Sequence, residues 1–242
     1  SGDYVGLFGY VGSSDRVQNV NVADSYISVN VGDSVNVYVG GVCGYNYGTL
    51  TNCSFDGSVN GNGNEVNDVG GVCGWNHGTI TNCSNTGSVT GNGTGVNVVG
   101  GVCGHNSSYS TIANCYNTGS VSGTDSGTYT GGVCGENNGT ITNCYWQSDT
   151  ADEADASAKT TTEFASGEVA WLLNSNQANG PWRQKLSGTD EDKYPVLGAA
   201  QSDTIVHKED GAYKNSGHDF GDNGFCKKDD CSACKPAALD DG

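Results

Sequence analysis

Methionine is absent from the 242 residues, proline occurs three times, and ten basic residues face 27 acidic ones. Each shortage excludes something. The formal charge of −17 repels phosphate backbones and anionic headgroups, so no nucleic-acid partner is expected. No apolar run approaches the roughly 18 residues that a membrane-spanning helix needs, and no charged-then-apolar targeting stretch opens the chain, so no membrane insertion of this segment is expected. Charged residues make up only 15% while glycine supplies 39 positions, a balance poor for helical bundles and suited to turn-rich β structure. With 35% apolar residues and so little proline, a disordered tail is excluded as well. The missing methionine, and a pattern already under way between Ser1 and Gly9, predict a segment processed or excised from something longer, with any signal or anchor outside it.

What the chain has is repetition, which is read before any single motif. The block GGVCG recurs at Gly40–Gly44, Gly70–Gly74, Gly100–Gly104 and Gly131–Gly135, with periods of 30, 30 and 31 residues. A second block ends at Cys53, Cys83, Cys115 and Cys144, and a third, GSV, begins at Gly57, Gly87 and Gly119. Val5 to Gly9 and Arg16 to Val20 form a degenerate earlier copy, making five. Each copy holds short β-branched runs between Gly and Asn clusters, which is how brief strands and tight turns are written. Strands of four or five residues gain partners only by stacking copy on copy. The expected fold is therefore all-β, a parallel β-solenoid (β-helix) of about five coils spanning residues 1–146, with neighbouring coils about 4.8 Å apart.

After Cys144 the pattern stops. A solenoid end exposes strand edges and core, and residues 147–200 are expected to supply a cap. Ser166 can cap a short helix with Glu168 in its first turn and Val169, Leu172 and Leu173 on one face. Trp171, Trp182 and the run Tyr194 to Leu197 add apolar area. Residues 201–242 read as a polar, Cys-bearing connector to a further module.

The block from Gly40 to Cys53, with its in-register copies, resembles the GLUG-motif repeat of bacterial surface and secreted proteins, over residues 4 to 146. Thr160 to Leu197 resembles the region that closes such arrays in large surface proteins of gut Firmicutes, and Asn223 to Ala237 a small Cys-containing connector. The resemblance implies a modular, secreted or cell-surface protein of adhesin type. It carries no catalytic residue onto this chain.

Eight cysteines fall at two positions per copy: Cys43/Cys53, Cys73/Cys83, Cys103/Cys115 and Cys134/Cys144. One reading makes each pair a disulfide within its coil, closing a loop of about ten residues and stabilising by roughly 3 kcal/mol. The other stacks the thiols as small buried hydrophobes. The degenerate copy lacks both together, with Phe8 and Val20 in their places, which favours bonding. Cys226, Cys231 and Cys234, spaced C-x4-C-x2-C with His218 ahead, form a candidate zinc site; a disulfide plus an external partner is the alternative.

Stacking turns repeated positions into columns. Tyr10, Tyr45, Trp75 and His105, followed by Glu136, form a candidate aromatic ladder for sugar rings, or one that packs only on itself. Thr49/Thr51, Thr79/Thr81, Thr111/Ala113 and Thr140/Thr142 make a Thr-x-Thr face like those of ice-binding proteins, broken by Ala113, Arg16 and Gln18. Turns such as Gly61 to Asp68 and Asp219 to Asn223 offer oxygens to calcium without the regular spacing of known loops. Asp56, Glu65, Asp68, Asp125 and Glu136 are scattered and read as solubilising surface charges, lysine is absent before Lys159, and the histidines lack nucleophile partners, so no enzyme is expected. The expected role is a structural or adhesive rod that meets a host or microbial surface ligand or glycan, or stacks end to end on itself.

Overall fold

The structure, a computed structural model, describes residues 2–30, 36–123, 128–149, 156–178, 180–198 and 204–215. It divides into two compact units, Ser1–Thr160 and Thr161–Gly242.

The first unit is a stack of short parallel strands on four faces. The first face holds Gly2–Val5, Asn36–Gly40, Val66–Gly70, Val96–Gly100 and Thr128–Gly131, and the second holds Phe8–Val11, Cys43–Asn46, Cys73–Asn76, Cys103–Asn106 and Cys134–Asn137. Arg16–Gln18, Thr49–Thr51, Thr79–Thr81, Thr111–Ala113 and Thr140–Thr142 make the third. The fourth starts with Asn21–Asn30 and Ser54–Asn62 and then splits into shorter strands ending at Tyr145–Gln147. Four coils are complete. The fifth stops after Tyr145–Gln147, on which Ser157–Lys159 adds as one more parallel strand, so this unit runs past residue 146.

Register is strict. Cys43, Cys73, Cys103 and Cys134 are direct partners from coil to coil, and so are Leu50, Ile80, Ile112 and Ile141. One-residue slips would turn these rungs out to solvent. The interior is a run of Val, Ile, Leu and Cys with no exposure in the middle coils and a little in the end ones, together with Phe55. At one corner of every coil sits an Asn in the left-handed region: Asn19, Asn52, Asn82, Asn114 and Asn143, with φ of 50–57°. Asn tolerates that conformation because its short amide bonds locally, which explains the invariant spacing of the second block.

Buried amides bind the coils. Asn46 Nδ2 donates to Asn76 Oδ1, Asn76 to Asn106 and Asn106 to Asn137, each at 2.8 Å, while the Gly48 and Gly78 N–H groups donate to the oxygens of Asn46 and Asn76. Coil four carries two extra residues before its third face; Tyr109 forms the exposed tip, and the Ser110 hydroxyl donates to Asn106 Oδ1 at 2.7 Å in place of the usual glycine amide. Coil one has a first turn shorter by one residue, since Val5 pairs with Val39 and Phe8 with Cys43.

In the second unit, helices α1 (Thr161–Ala165) and α2 (Glu168–Leu173) meet at Gly167, whose φ is 88°. The N-cap of α2 is Gly167 rather than the expected Ser166, whose hydroxyl accepts from the Glu168 N–H at 3.3 Å from one residue further out, and the buried face is Val169, Ala170 and Leu173, with Leu172 half-buried. Trp182 is fully buried and bracketed by the Asn174 side chain, which donates to its carbonyl and accepts from its N–H. The strands Trp182–Arg183 and Val196–Leu197 pair antiparallel, as do Val206–Glu209 and Ala212–Asn215.

Candidate functional site

The first and second faces fold sharply onto each other, and glycine makes this possible. A Cβ on Gly44, Gly74 or Gly104 would lie 2.5–2.6 Å from the backbone nitrogen of Val5, Val39 or Val69, so the second strand of one coil rests on the first strand of the coil before. Outward side chains of both faces are thereby brought together. Tyr4, Tyr38, Asp68, Val98 and Tyr129 form the column on the first face. Tyr10, Tyr45, Trp75, His105 and Glu136 form the column on the second, as the repeat spacing predicts.

Ring geometry decides what the second column offers. Tyr10 and Tyr45 have centroids 6.0 Å apart at 27°, Tyr45 and Trp75 5.9 Å at 5°, and Trp75 and His105 4.1 Å at 3°. The rings therefore lie on one another along the solenoid axis and cover each other's faces. Tyr38 stands nearly perpendicular to Tyr45 and Trp75, at 83° and 82°. Tyr4 lies 5.1 Å from Tyr45, and Tyr47 5.4 Å from it and 4.5 Å from His77. This is an exterior aromatic cluster whose accessible parts are edges and phenolic hydroxyls, chiefly of Tyr4, Tyr10 and Tyr47. A flat sugar platform needs open ring faces, and the stack leaves few. Burial pushes the Tyr38 and Tyr45 phenols above their ordinary value, so they stay neutral donors.

At its far end the cluster turns polar. His105 Nδ1 lies 3.8 Å from Glu136 Oε2, yet burial holds the imidazole below its usual value against that carboxylate's opposing pull. Asp68 departs from the expected surface charge: it is wholly buried in the first-face column, and neither carboxyl oxygen has a hydrogen-bond partner. Burial, reinforced by the Glu136 charge, raises its carboxyl well above the ordinary range. The sequence hides this because Asp68 occupies an outward strand position; only the glycine-permitted fold of the two faces covers it.

The cysteines also depart from the bonded reading. All eight solenoid thiols, Cys43, Cys53, Cys73, Cys83, Cys103, Cys115, Cys134 and Cys144, are free and buried. They stack between coils as two ladders, each Sγ directed at a nearby carbonyl, such as Cys43 to Tyr45 O at 3.2 Å and Cys53 to Thr51 O at 3.3 Å. Burial pushes the thiols of Cys73, Cys103 and Cys115 well up, so they are un-ionised and unreactive. Site-resolved alkylation of the native, non-reduced protein is expected to leave all eight unmodified, and alkylation in denaturant without reductant to modify all eight.

His218, Cys226, Cys231 and Cys234 lie outside the described residues, as do Asp125 and the turn Asp219 to Asn223. Among the described residues no three His, Cys, Asp or Glu side chains gather as a metal site. The turn from Gly61 to Asp68 does not collect oxygens for calcium: Asn67 is buried, closing the turn by accepting from the Gly63 N–H and donating to Asn97 Oδ1. The Thr-x-Thr columns are in register on the third face, with Arg16 and Gln18 opposite Thr49 and Thr51 and Ala113 opposite Thr81. No helix among the described residues is long and apolar enough to cross a membrane.

Comparison with known proteins agrees with this architecture. The model of the GLUG motif matches residues 35–60, 66–90 and 95–122, which are the second, third and fourth coils. The chain thus carries GLUG repeats, built as coils of a β-solenoid. A crystal structure from Bacteroides ovatus, provisionally named an immunoglobulin A1 protease, superposes with a TM-score of 0.52 at 19% identity, covering 79% of this chain and 74% of that one. At that identity the likeness is one of fold. No curated protein matches the sequence.

Proposed function

We propose that this chain is a structural and adhesive repeat segment of a secreted or cell-surface protein: a stiff rod that presents an aromatic strip to a host or microbial surface ligand. The observation that carries the reading is the strip itself, a tyrosine-rich cluster held outside the core on strands that are paired coil to coil. Tyrosine supplies large, amphipathic contact area at low entropic cost, and strands make a rigid mount. The acidic charge and the unpaired Asp68 give no nucleophile, so the segment binds rather than turns over its ligand. The name of the Bacteroides ovatus protein belongs to that protein, and no catalytic arrangement here supports transferring it.

Glycan is the second reading, favoured by the phenolic hydroxyls of Tyr4, Tyr10 and Tyr47 and limited by the covered ring faces. Glycan-array screening of the segment beside Tyr45→Ala/Trp75→Ala and Tyr10→Ala/Tyr47→Ala variants separates the cases. Binding that both double variants lose supports contact through the strip. Binding that both retain moves the site elsewhere, and a silent array leaves protein ligands and the spacer role. The Thr-x-Thr face is too interrupted to order water in a lattice, and absence of thermal hysteresis is the expected result.

A further inference from the structure

The second-face stack ends in an imidazole. His105 lies flat on Trp75, and its two nitrogens meet side chains of the fifth coil. Asn138 Nδ2 stands 3.4 Å from His105 Nε2 and donates to Glu136 Oε1 at 3.0 Å, while Glu136 Oε2 is 3.8 Å from His105 Nδ1. The Asn138 N–H donates to the Asn106 carbonyl at 2.8 Å, so the backbone holds that amide beside the ring. The three side chains decide one another's protons. A carboxylate only accepts, so Glu136 turns the Asn138 amide nitrogen toward itself. That nitrogen only donates, so His105 Nε2 is the accepting nitrogen and the ring hydrogen sits on Nδ1. A second proton has to enter at Nε2, where it sets a donor against a donor. Turning the amide over brings no relief, because its oxygen would then face the Glu136 carboxylate.

From this geometry we infer that His105, Asn138 and Glu136 form a proton-operated switch at the far end of the strip: a proton on His105 Nε2 expels the Asn138 amide and draws Glu136 into a direct ion pair at Nδ1, with the imidazolium stacked on Trp75. The two states make different bonds. The charged one gains the carboxylate and the indole face, both of which attract a cation. Burial opposes it and holds the imidazole below its usual value, so the amide-bonded arrangement is that of neutral pH. The strands packed against Cys103–Asn106 are Cys73–Asn76, Cys134–Asn137, Val66–Gly70 and Val96–Gly100. Their outward titratable groups are Glu136 and Asp68. Asp68, which lies beside Gly104, is kept protonated by burial and adds no counter-charge in acid. Val96–Gly100 carries no titratable group, and the thiols of Cys73, Cys103 and Cys134 belong to the core. His77, two residues past Trp75, is bonded to Ser107 and set edge-on to Tyr47. For the strip, acid withdraws Glu136, the one exposed carboxylate of the two columns, and releases the Asn138 amide to solvent. That consequence rests on the adhesive reading; the switch itself does not, and it is read without a ligand.

Nuclear magnetic resonance of the 242-residue chain carrying 15N-labelled histidine tests it, with the His105 signals assigned by their loss in His105→Gln. The Nδ1–H tautomer is expected at neutral pH, followed on acidification by a single titration with its midpoint below the unfolded value of about 6.5. Asn138→Ala removes the opposing donor without adding charge and is expected to raise that midpoint. Glu136→Gln removes the incoming carboxylate and is expected to lower it. A merely structural role for either residue would not move the midpoint in opposite directions. Tryptophan emission is expected to fall with the same midpoint, because an imidazolium in ring contact quenches indole, and Trp75→Phe should abolish that step. Circular dichroism at each pH confirms that every variant stays folded. An Nε2–H tautomer at neutral pH would overturn the inference. So would a midpoint that Asn138→Ala and Glu136→Gln leave in place, or an emission step of equal size in Trp75→Phe.

Discussion

Asp68→Val is expected to raise the unfolding free energy at neutral pH by about 1–3 kcal/mol, the cost of a buried polar group without a hydrogen-bond partner. Valine fits, because Val98 holds the same position one coil on. Asp68→Asn is expected to gain less, since its amide would remain unpartnered. The pH dependence follows from the carboxyl's neighbours. Tyr38 and Cys103 are neutral and Glu136 repels, so nothing near Asp68 favours its charged form. In the unfolded chain the group ionises near the ordinary value of about 3.9. The folded value is raised, so Asp68's contribution is fully present below that unfolded value. As pH rises the unfolded state ionises first, and stability declines until the folded carboxyl ionises too. Urea unfolding of both proteins across this range should show wild type falling away from Asp68→Val as pH rises above about 4. A lower midpoint for Asp68→Val at neutral pH would refute the account.

Asp68 also marks where the sequence stops being legible. Stacking was readable because a coil cannot form its strands alone, so equivalent residues had to become neighbours; Cys43 against Cys73 and Tyr45 against Trp75 follow from the period. Which outward residues are buried was not readable. That depends on how closely the first and second faces approach, set by Gly44, Gly74 and Gly104, and alternation alone does not encode the angle between faces. The thiols misled for a related reason. Two cysteines ten residues apart suggest a bridge within a coil, yet the two stack in separate columns, Cys43 on Cys73 on the second face and Cys53 with Cys83 after the third. The left-handed Asn of the second block was a visible signal, since Asn at a fixed turn position is how that conformation is written. The Asn ladder at residues 46, 76, 106 and 137 is equally periodic in the sequence.

That ladder gives the second large effect. Asn76→Ala is expected to destabilise by roughly 3 kcal/mol, about 1 kcal/mol for each buried partner that loses a bond. The partners are Asn46 Nδ2 and the Gly78 N–H, which donate to its oxygen, and Asn106 Oδ1, which accepts from its amide. Asn46 and Asn106 have no exposure, so water cannot replace the lost group there, while the Gly78 N–H is only partly buried. Asn137, the last rung, is exposed and bonded to the ladder on one side only, so Asn137→Ala is expected to cost well under half as much. Asn76→Asp should match or exceed the alanine effect: it sets an acceptor against Asn106 Oδ1 and places a charge where there is no exposure. Because each coil touches only its neighbours, a broken middle rung also weakens the coupling between the halves of the stack. Asn76→Ala is therefore expected to lower the m-value in urea as well as the midpoint, and equal losses for Asn76→Ala and Asn137→Ala would assign the ladder no cooperative role.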